Sequence, residues 1–260
     1  MEIPVFQIDT FTGDIFKGNP AAVCILENWL TDTTLQNIAA ENNLSETAFV
    51  VHRNGSYEIR WFTPTVEIDL CGHATLAAGY VFFTFISPGL HRIDFHSSKS
   101  GPLAVLNENE LFRLDFPAHP PTPCPTPELL IRALHKEPLA VHKSEDYLAV
   151  FENEAVITGI SPDFGLLAQL DHRGVIITAK GNDVDFVSRF FAPKCGINED
   201  PVTGSAHCAL IPFWKSKLHK TTFRARQVSG RGGELFCEDA GKRVFIAGKA
   251  VCYLKGSIFI

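Results

Sequence analysis

Arg60-Trp61-Phe62-Thr63-Pro64-Thr65-Val66-Glu67-Ile68-Asp69-Leu70-Cys71-Gly72-His73-Ala74-Thr75-Leu76-Ala77 is answered later in the chain by Arg189-Phe190-Phe191-Ala192-Pro193-Lys194-Cys195-Gly196-Ile197-Asn198-Glu199-Asp200-Pro201-Val202-Thr203-Gly204-Ser205-Ala206-His207-Cys208-Ala209. Arg60, Phe62, Pro64, Ile68, Asp69, Gly72, Ala74 and Ala77 pair by eye with Arg189, Phe191, Pro193, Ile197, Asp200, Gly204, Ala206 and Ala209. On this reading the extra residues of the second copy fall between Ile197 and Gly204. A repeat of about half the chain predicts two similar lobes rather than a solenoid. Two lobes predict a cleft, the usual place for chemistry.

Working outward, 73–86 is apolar nearly all round, so a helix there must be buried on every side. With strands before and after it, the expected fold is α+β: two pseudosymmetric lobes, each an antiparallel sheet or barrel wrapped around a central α-helix. The 205–218 stretch repeats the idea, and Pro212 is expected to bend that helix or end its first section. Upstream, a helix is expected over 32–41 with Asp32 as N-cap and Asn42-Asn43 as the stop. In the second half, a strand is expected at 155–158 and a helix at 162–170. Prolines crowd 117–127, which reads as a stiff linker unable to sit in a sheet. The expected domains are 1–116, a linker with a short helix over 117–146, and 147–260. The final strand is a candidate to pair with the first lobe.

The bulk numbers narrow the function classes. A net charge of −6 carries no basic footprint, so nucleic acid is not an expected partner. No signal peptide is expected at Met1-Glu2-Ile3-Pro4-Val5, and no run is long enough to span a membrane. The seven cysteines show no CxxC spacing, which argues for reduced thiols and a cytoplasmic protein. Cys71 with His73, and His207 with Cys208, are the close pairs, too sparse for a structural zinc, so no metal is expected.

Each central helix opens at the repeated turn, Gly72-His73 in one copy and Gly204-Ser205 in the other. Helix N-termini carry unpaired N–H groups and partial positive charge, so a pair of them suits a substrate carboxylate. Capping by Thr203 or Ser205 is the plainer alternative. His73 qualifies as an acid or base by intrinsic pKa, or else is a buried core histidine. Glu46, taken alone, reads as a surface residue of an edge strand.

Further stretches carry a resemblance: Asp9-Thr10-Phe11, Phe16-Lys17-Gly18-Asn19-Pro20-Ala21-Ala22-Val23, Leu44-Ser45-Glu46-Thr47-Ala48-Phe49, and Arg231-Gly232-Gly233-Glu234. Together with the two repeat segments, they make the chain similar, end to end and in order, to the phenazine-biosynthesis PhzF-like family of the diaminopimelate epimerase superfamily. The resemblance implies an isomerase that needs no cofactor and no metal and acts on a small carboxylic acid between two lobes. It also suggests a homodimer. By similarity Glu46 is the proton-carrying carboxylate, and His73, Asp200 and Ser205 are the other polar site residues. Gly72 and Gly204 present the helix ends, Asn19 lines the site, and Cys71 and Thr203 stand at the positions of the superfamily's two thiols. Threonine is a poor base, so a two-thiol racemase is not expected. A one-thiol epimerase or dehydratase using Cys71, and a non-catalytic small-acid or protein-binding member, are the alternatives.

Overall fold

Short strands and two largely apolar helices resolve into two compact units in a computed structural model, which describes every residue except Asn54. One unit comprises Met1–Asp115 with Ala247–Ile260, the other Phe116–Ile246.

In the first unit Glu2–Thr10 pairs antiparallel with Asn19–Leu26 on one side and with Ala250–Phe259 on the other. Asn19–Leu26 then runs parallel to Glu46–Arg53. A parallel neighbour needs a crossover, and the Asp32–Asn42 helix supplies it. Its N-cap is Thr31, whose hydroxyl accepts from Thr34 N–H, and not Asp32, which is the first helical residue. Asn43 ends the helix in the left-handed region, at φ 48°. Glu46–Arg53 continues antiparallel to Ser56–Phe62, which runs parallel to Arg92–Ser97 across the Gly72–Val81 helix. Gly101–Glu108 and Leu111–Pro117 complete the meander.

The second unit repeats this plan. Ala140–Lys143 and Tyr147–Val150 pair antiparallel, and Tyr147–Val150 runs parallel to Val175–Lys180. Phe186–Ala192 follows antiparallel, then runs parallel to Thr222–Gln227 across the Gly204–Leu218 helix. The strands of each unit are therefore mixed, and each of these parallel pairs has a helix between its strands. The expected strand at 155–158 is instead part of the Glu154–Gly159 helix, because Asn153 accepts from Val156 N–H and starts a turn. The expected 162–170 helix is shortened to Phe164–Leu167.

The 117–146 segment does more than link. Thr122–Cys124 pairs with Ala140–Lys143, and Leu130, Ala133 and Leu134 of the Glu128–Leu134 helix enter the second unit's core. It also explains why the Gly204–Leu218 helix does not end at Pro212. Proline has no N–H for the Cys208 carbonyl, and His119 N–H bonds that carbonyl instead, at 2.9 Å.

Both central helices are buried as their apolar surfaces require. Gly72–Val81 buries His73 through Gly79 and Val81, then widens into the Phe82–Ile86 π-turn. Gly79 is needed for close approach: a Cβ there would lie 2.7 Å from Val105 Cγ1.

Ladder register corrects the internal alignment. Trp61 pairs with Ile68, and Phe190 pairs with Asp200. Arg60 Nε and Nη2 donate to Glu67 at 2.7 and 3.0 Å, and Arg189 Nε and Nη2 donate to Glu199 at 2.7 and 2.9 Å. Each guanidinium also stacks over the phenylalanine two residues on, Phe62 or Phe191. Glu67 therefore matches Glu199, and Asp200 matches Ile68, not Asp69. The extra residues precede Glu199, around the Pro193–Cys195 turn. Asp69 is exposed, whereas Asp200 is buried.

Candidate functional site

The first group of site residues lies wholly in the first unit. A sharp loop leads from Thr10 to Asn19. Asp9 Oδ2 accepts from Phe16 N–H at 2.8 Å, and Thr10 Oγ1 donates to the Asn19 carbonyl at 2.9 Å. Gly18 makes the last step of that loop at φ +64°, where a Cβ would strike the Thr10 carbonyl oxygen at 2.0 Å. Asn19 is thereby delivered to the start of its strand with no exposed surface.

Glu46 opens the adjacent parallel strand, in register with Ala21. Its strand is flanked on both sides, by Asn19–Leu26 and Ser56–Phe62. The residue-only expectation of an exposed edge position is thus overturned: Glu46 is 7% exposed. The apolar strand did not reveal this locally, because its second neighbour, Asn19–Leu26, lies on the far side of the Asp32–Asn42 helix in sequence.

His73, 5% exposed, enters from the second position of the Gly72–Val81 helix. Its Nε2 lies 3.1 Å from Glu46 Oε2, at contact distance but without hydrogen-bond alignment. Its Nδ1 lies 3.3 Å from Asn19 Nδ2 and 3.4 Å from Cys71 Sγ. Burial pushes the imidazole pKa down from 6.5 to about 3. His73 is therefore a neutral imidazole at ordinary pH, and not the freely titrating acid–base group that its intrinsic pKa implies.

Cys71 occupies the N-cap position of this helix and makes no side-chain cap hydrogen bond. Thr203 occupies the same position of the Gly204–Leu218 helix and does not cap either. Simple side-chain capping is therefore not what these turns do. The Thr203 hydroxyl donates instead to Asp200 Oδ2 at 2.5 Å. Ser205 lies inside the helix, and its hydroxyl accepts from Arg173 Nη2 at 3.3 Å.

Two residues of the second unit were missed by sequence reasoning. Gln227, fully buried, holds the turn from a distant strand. Its Oε1 accepts from Thr203 N–H at 2.9 Å, and its Nε2 donates to the Asp200 carbonyl at 2.7 Å and to Thr203 Oγ1 at 3.1 Å. Arg173 reaches Ser205 while it is gripped by the buried Asp146, its Nε 3.0 Å from Oδ1. Neither residue sits in a motif, and only the polarity of Gln227 at the end of an apolar-alternating strand hinted at a role.

The structure thus brings Asn19, Glu46, Cys71, Gly72 and His73 together in one unit, and Asp200, Thr203, Gly204 and Ser205 together in the other. Ligand atoms of Glu46, Cys71 and His73 lie within 4.8 Å of one another, the spacing of a possible cation site. However, His73 turns opposite ring nitrogens toward the thiol and the carboxylate, so one ion could not take all three without rotation of the ring. The arrangement suits proton handling: a buried carboxylate, a neutral imidazole and a helix end without a side-chain cap.

A profile of phenazine biosynthesis-like proteins matches residues 8–256. The chain belongs to that family. It is 49% identical over 266 residues to an uncharacterised isomerase of Pseudomonas aeruginosa, covering 100% of both chains. It is also 49% identical to a crystal structure of a PhzF-family phenazine biosynthesis protein of Enterococcus faecalis, with a TM-score of 0.97 and 100% of both chains covered. A Pseudomonas aeruginosa protein described as a predicted epimerase shares the fold, at TM-score 0.74 and 17% identity over 99% of each chain. The α+β fold expected from the repeat is thus that of PhzF-like and epimerase-like proteins. Among the described residues no helix is long and apolar enough to cross a membrane.

Proposed function

We propose that this chain is a cofactor-independent isomerase of a small carboxylic acid, acting by proton abstraction and return. The observation that carries the reading is Glu46, a buried carboxylate 3.1 Å from the neutral His73 beside a helix end without a side-chain cap. Burial of Glu46 keeps bulk water from exchanging the proton that it carries. Glu46 takes the proton from one carbon and returns it to another on the same face. His73 assists at the carboxylate, and the N–H groups of the helix end that starts at Gly72 hold substrate charge as it develops. Asp200 and Ser205 are assigned to the same reaction, with Asn19, Cys71, Thr203 and Gly204 as substrate-binding positions. Relatives named isomerases support the reaction class. The family likeness also supports a homodimer, to be read by light scattering.

A two-thiol racemase does not suit these residues. Thr203 stands where a second thiol would be, and its hydroxyl is engaged with Asp200. A one-thiol reaction at Cys71 is the second reading, favoured by the thiol's contact with a neutral imidazole. The deciding experiment follows deuterium from heavy water into a panel of small unsaturated, amino and hydroxy acids by mass spectrometry. Label is expected with wild type and absent with Glu46→Gln. Label retained by Glu46→Gln and lost in Cys71→Ala would assign the reaction to the thiol.

A further inference from the structure

Around His73 the polar partners are sorted by type. Asn19 Nδ2, an amide donor, lies 3.3 Å from Nδ1, and Cys71 Sγ, a thiol able to donate, lies 3.4 Å from the same nitrogen. On the opposite edge of the ring, Nε2 looks at Glu46 Oε2, an acceptor when ionised, across 3.1 Å. A neutral imidazole has one N–H and one lone pair, on different nitrogens. The Asn19 amide N–H2 can only donate, so it leaves Nδ1 the lone pair, and the Cys71 thiol is able to donate to the same lone pair. The proton must then sit on Nε2.

We infer that Asn19 and Cys71 are positioning residues that fix the tautomer of His73, keeping its single proton on Nε2 toward Glu46. The scaffold is built for this. Asn19 is held by its strand and by Thr10, and Cys71 by the turn that starts the helix carrying His73. The helix sets the ring's reach, and the neighbouring parallel strand sets Glu46 opposite it.

The consequence for turnover rests on the isomerase reading above. An Nε2–H 3.1 Å from Oε2, even without hydrogen-bond alignment, puts its partial positive charge beside the carboxyl and favours Glu46 as the carboxylate, so the resting enzyme presents a base. A neutral ring with its lone pair already engaged has no vacancy for Glu46's proton. Glu46 must therefore itself keep and return the proton it takes from substrate. In the opposite tautomer Nε2 would be an acceptor, pulling a proton onto Glu46 and presenting an acid instead. Other catalytic imidazoles lose most of their activity when the tautomer is wrong.

The test is nitrogen-15 NMR of the full chain labelled at histidine, at neutral pH and without substrate. The His73 signals are assigned by their loss in His73→Asn. The expected spectrum has Nε2 in the protonated range and Nδ1 in the unprotonated range. A wild-type His73 carrying its proton on Nδ1, or on both nitrogens, overturns the inference without recourse to any variant. Asn19→Asp puts an acceptor at Nδ1 and is expected to draw the proton there. Cys71→Ala, a milder change, should leave the proton on Nε2 with a shifted Nδ1 resonance. With a substrate in hand, Asn19→Asp should lower kcat on the order of a hundredfold or more. A moved proton with unchanged kcat would overturn the role in turnover. Activity surviving in Glu46→Gln would defeat the isomerase reading, while leaving the NMR result in place.

Discussion

His73 Nε2 lies 3.1 Å from Glu46 Oε2, between two side chains that are each less than one-tenth exposed. The helix that carries the imidazole and the strand that carries the carboxylate are separated in sequence by the strands Ser56–Phe62 and Glu67–Ile68, and the fold brings them into contact. That contact organises the first set of expectations.

Glu46→Gln keeps the size of the side chain and removes its basicity. Turnover should fall by roughly 10²–10⁴-fold, the usual worth of a positioned acid–base group. The melting temperature should stay close to wild type, because no packing volume changes. A variant that unfolds at room temperature would show instead that the charge is structural.

Acid sensitivity follows from two buried histidines. In the unfolded chain each takes up a proton near pH 6.5, whereas in the folded protein burial keeps His73 neutral to about 3 and His207 to about 4. Below pH 6.5 the unfolded chain thus binds more protons than the folded one, so stability falls as pH falls. The slope approaches about 1.4 kcal/mol per pH unit for each histidine. Urea unfolding between about pH 7 and pH 5 should show this loss, and His207→Gln should roughly halve the histidine part of it. A flat profile over that interval would contradict the assignment.

Gln227 closes the turn at Thr203 through three hydrogen bonds from one fully buried amide. Gln227→Leu conserves bulk but strands the Thr203 N–H and the Asp200 carbonyl. Loss of roughly 2–4 kcal/mol is expected, from two buried groups left without these partners. Guanidinium unfolding measures it. A loss under ~0.5 kcal/mol would mean that water replaces the amide.

Packing at the first central helix is tested by Gly79→Ala. The added methyl would meet Val105 Cγ1 at 2.7 Å. Overpacking should cost roughly 1–3 kcal/mol, and adding Val105→Ala should recover part of it. Additive losses in the double variant would show that the two side chains do not compete for one space.

Much of the architecture was legible in the chain. The apolar 73–86 run required a helix buried on all sides, and the structure buries it nearly throughout as far as Phe83, while Thr84 and Ile86 reach the surface. The matched Arg60 and Arg189 signalled equivalent strands, and each does hold a glutamate and stack on a phenylalanine. The Gly-His and Gly-Ser turns marked where both central helices begin.

Other features depended on register and on distant partners. Spacing alone aligned Asp200 with Asp69; the ladder aligns it with Ile68, because the inserted Pro193–Cys195 turn comes earlier. Glu154–Gly159 has strand-like composition yet is helical, since a local cap outweighs a weak β preference. Pro212 did not end its helix because His119, far away in sequence, bonds the carbonyl that the proline leaves. Local hydrophobic pattern, glycine turns and the repeat lie within a window of sequence, so the chain by itself determined the elements and their duplication. Which nitrogen of His73 meets Glu46, and that Gln227 closes the turn at Thr203, are contacts between segments far apart in sequence. Their geometry exists only once strand pairing and helix packing have brought those segments together, so the tertiary structure alone decided them.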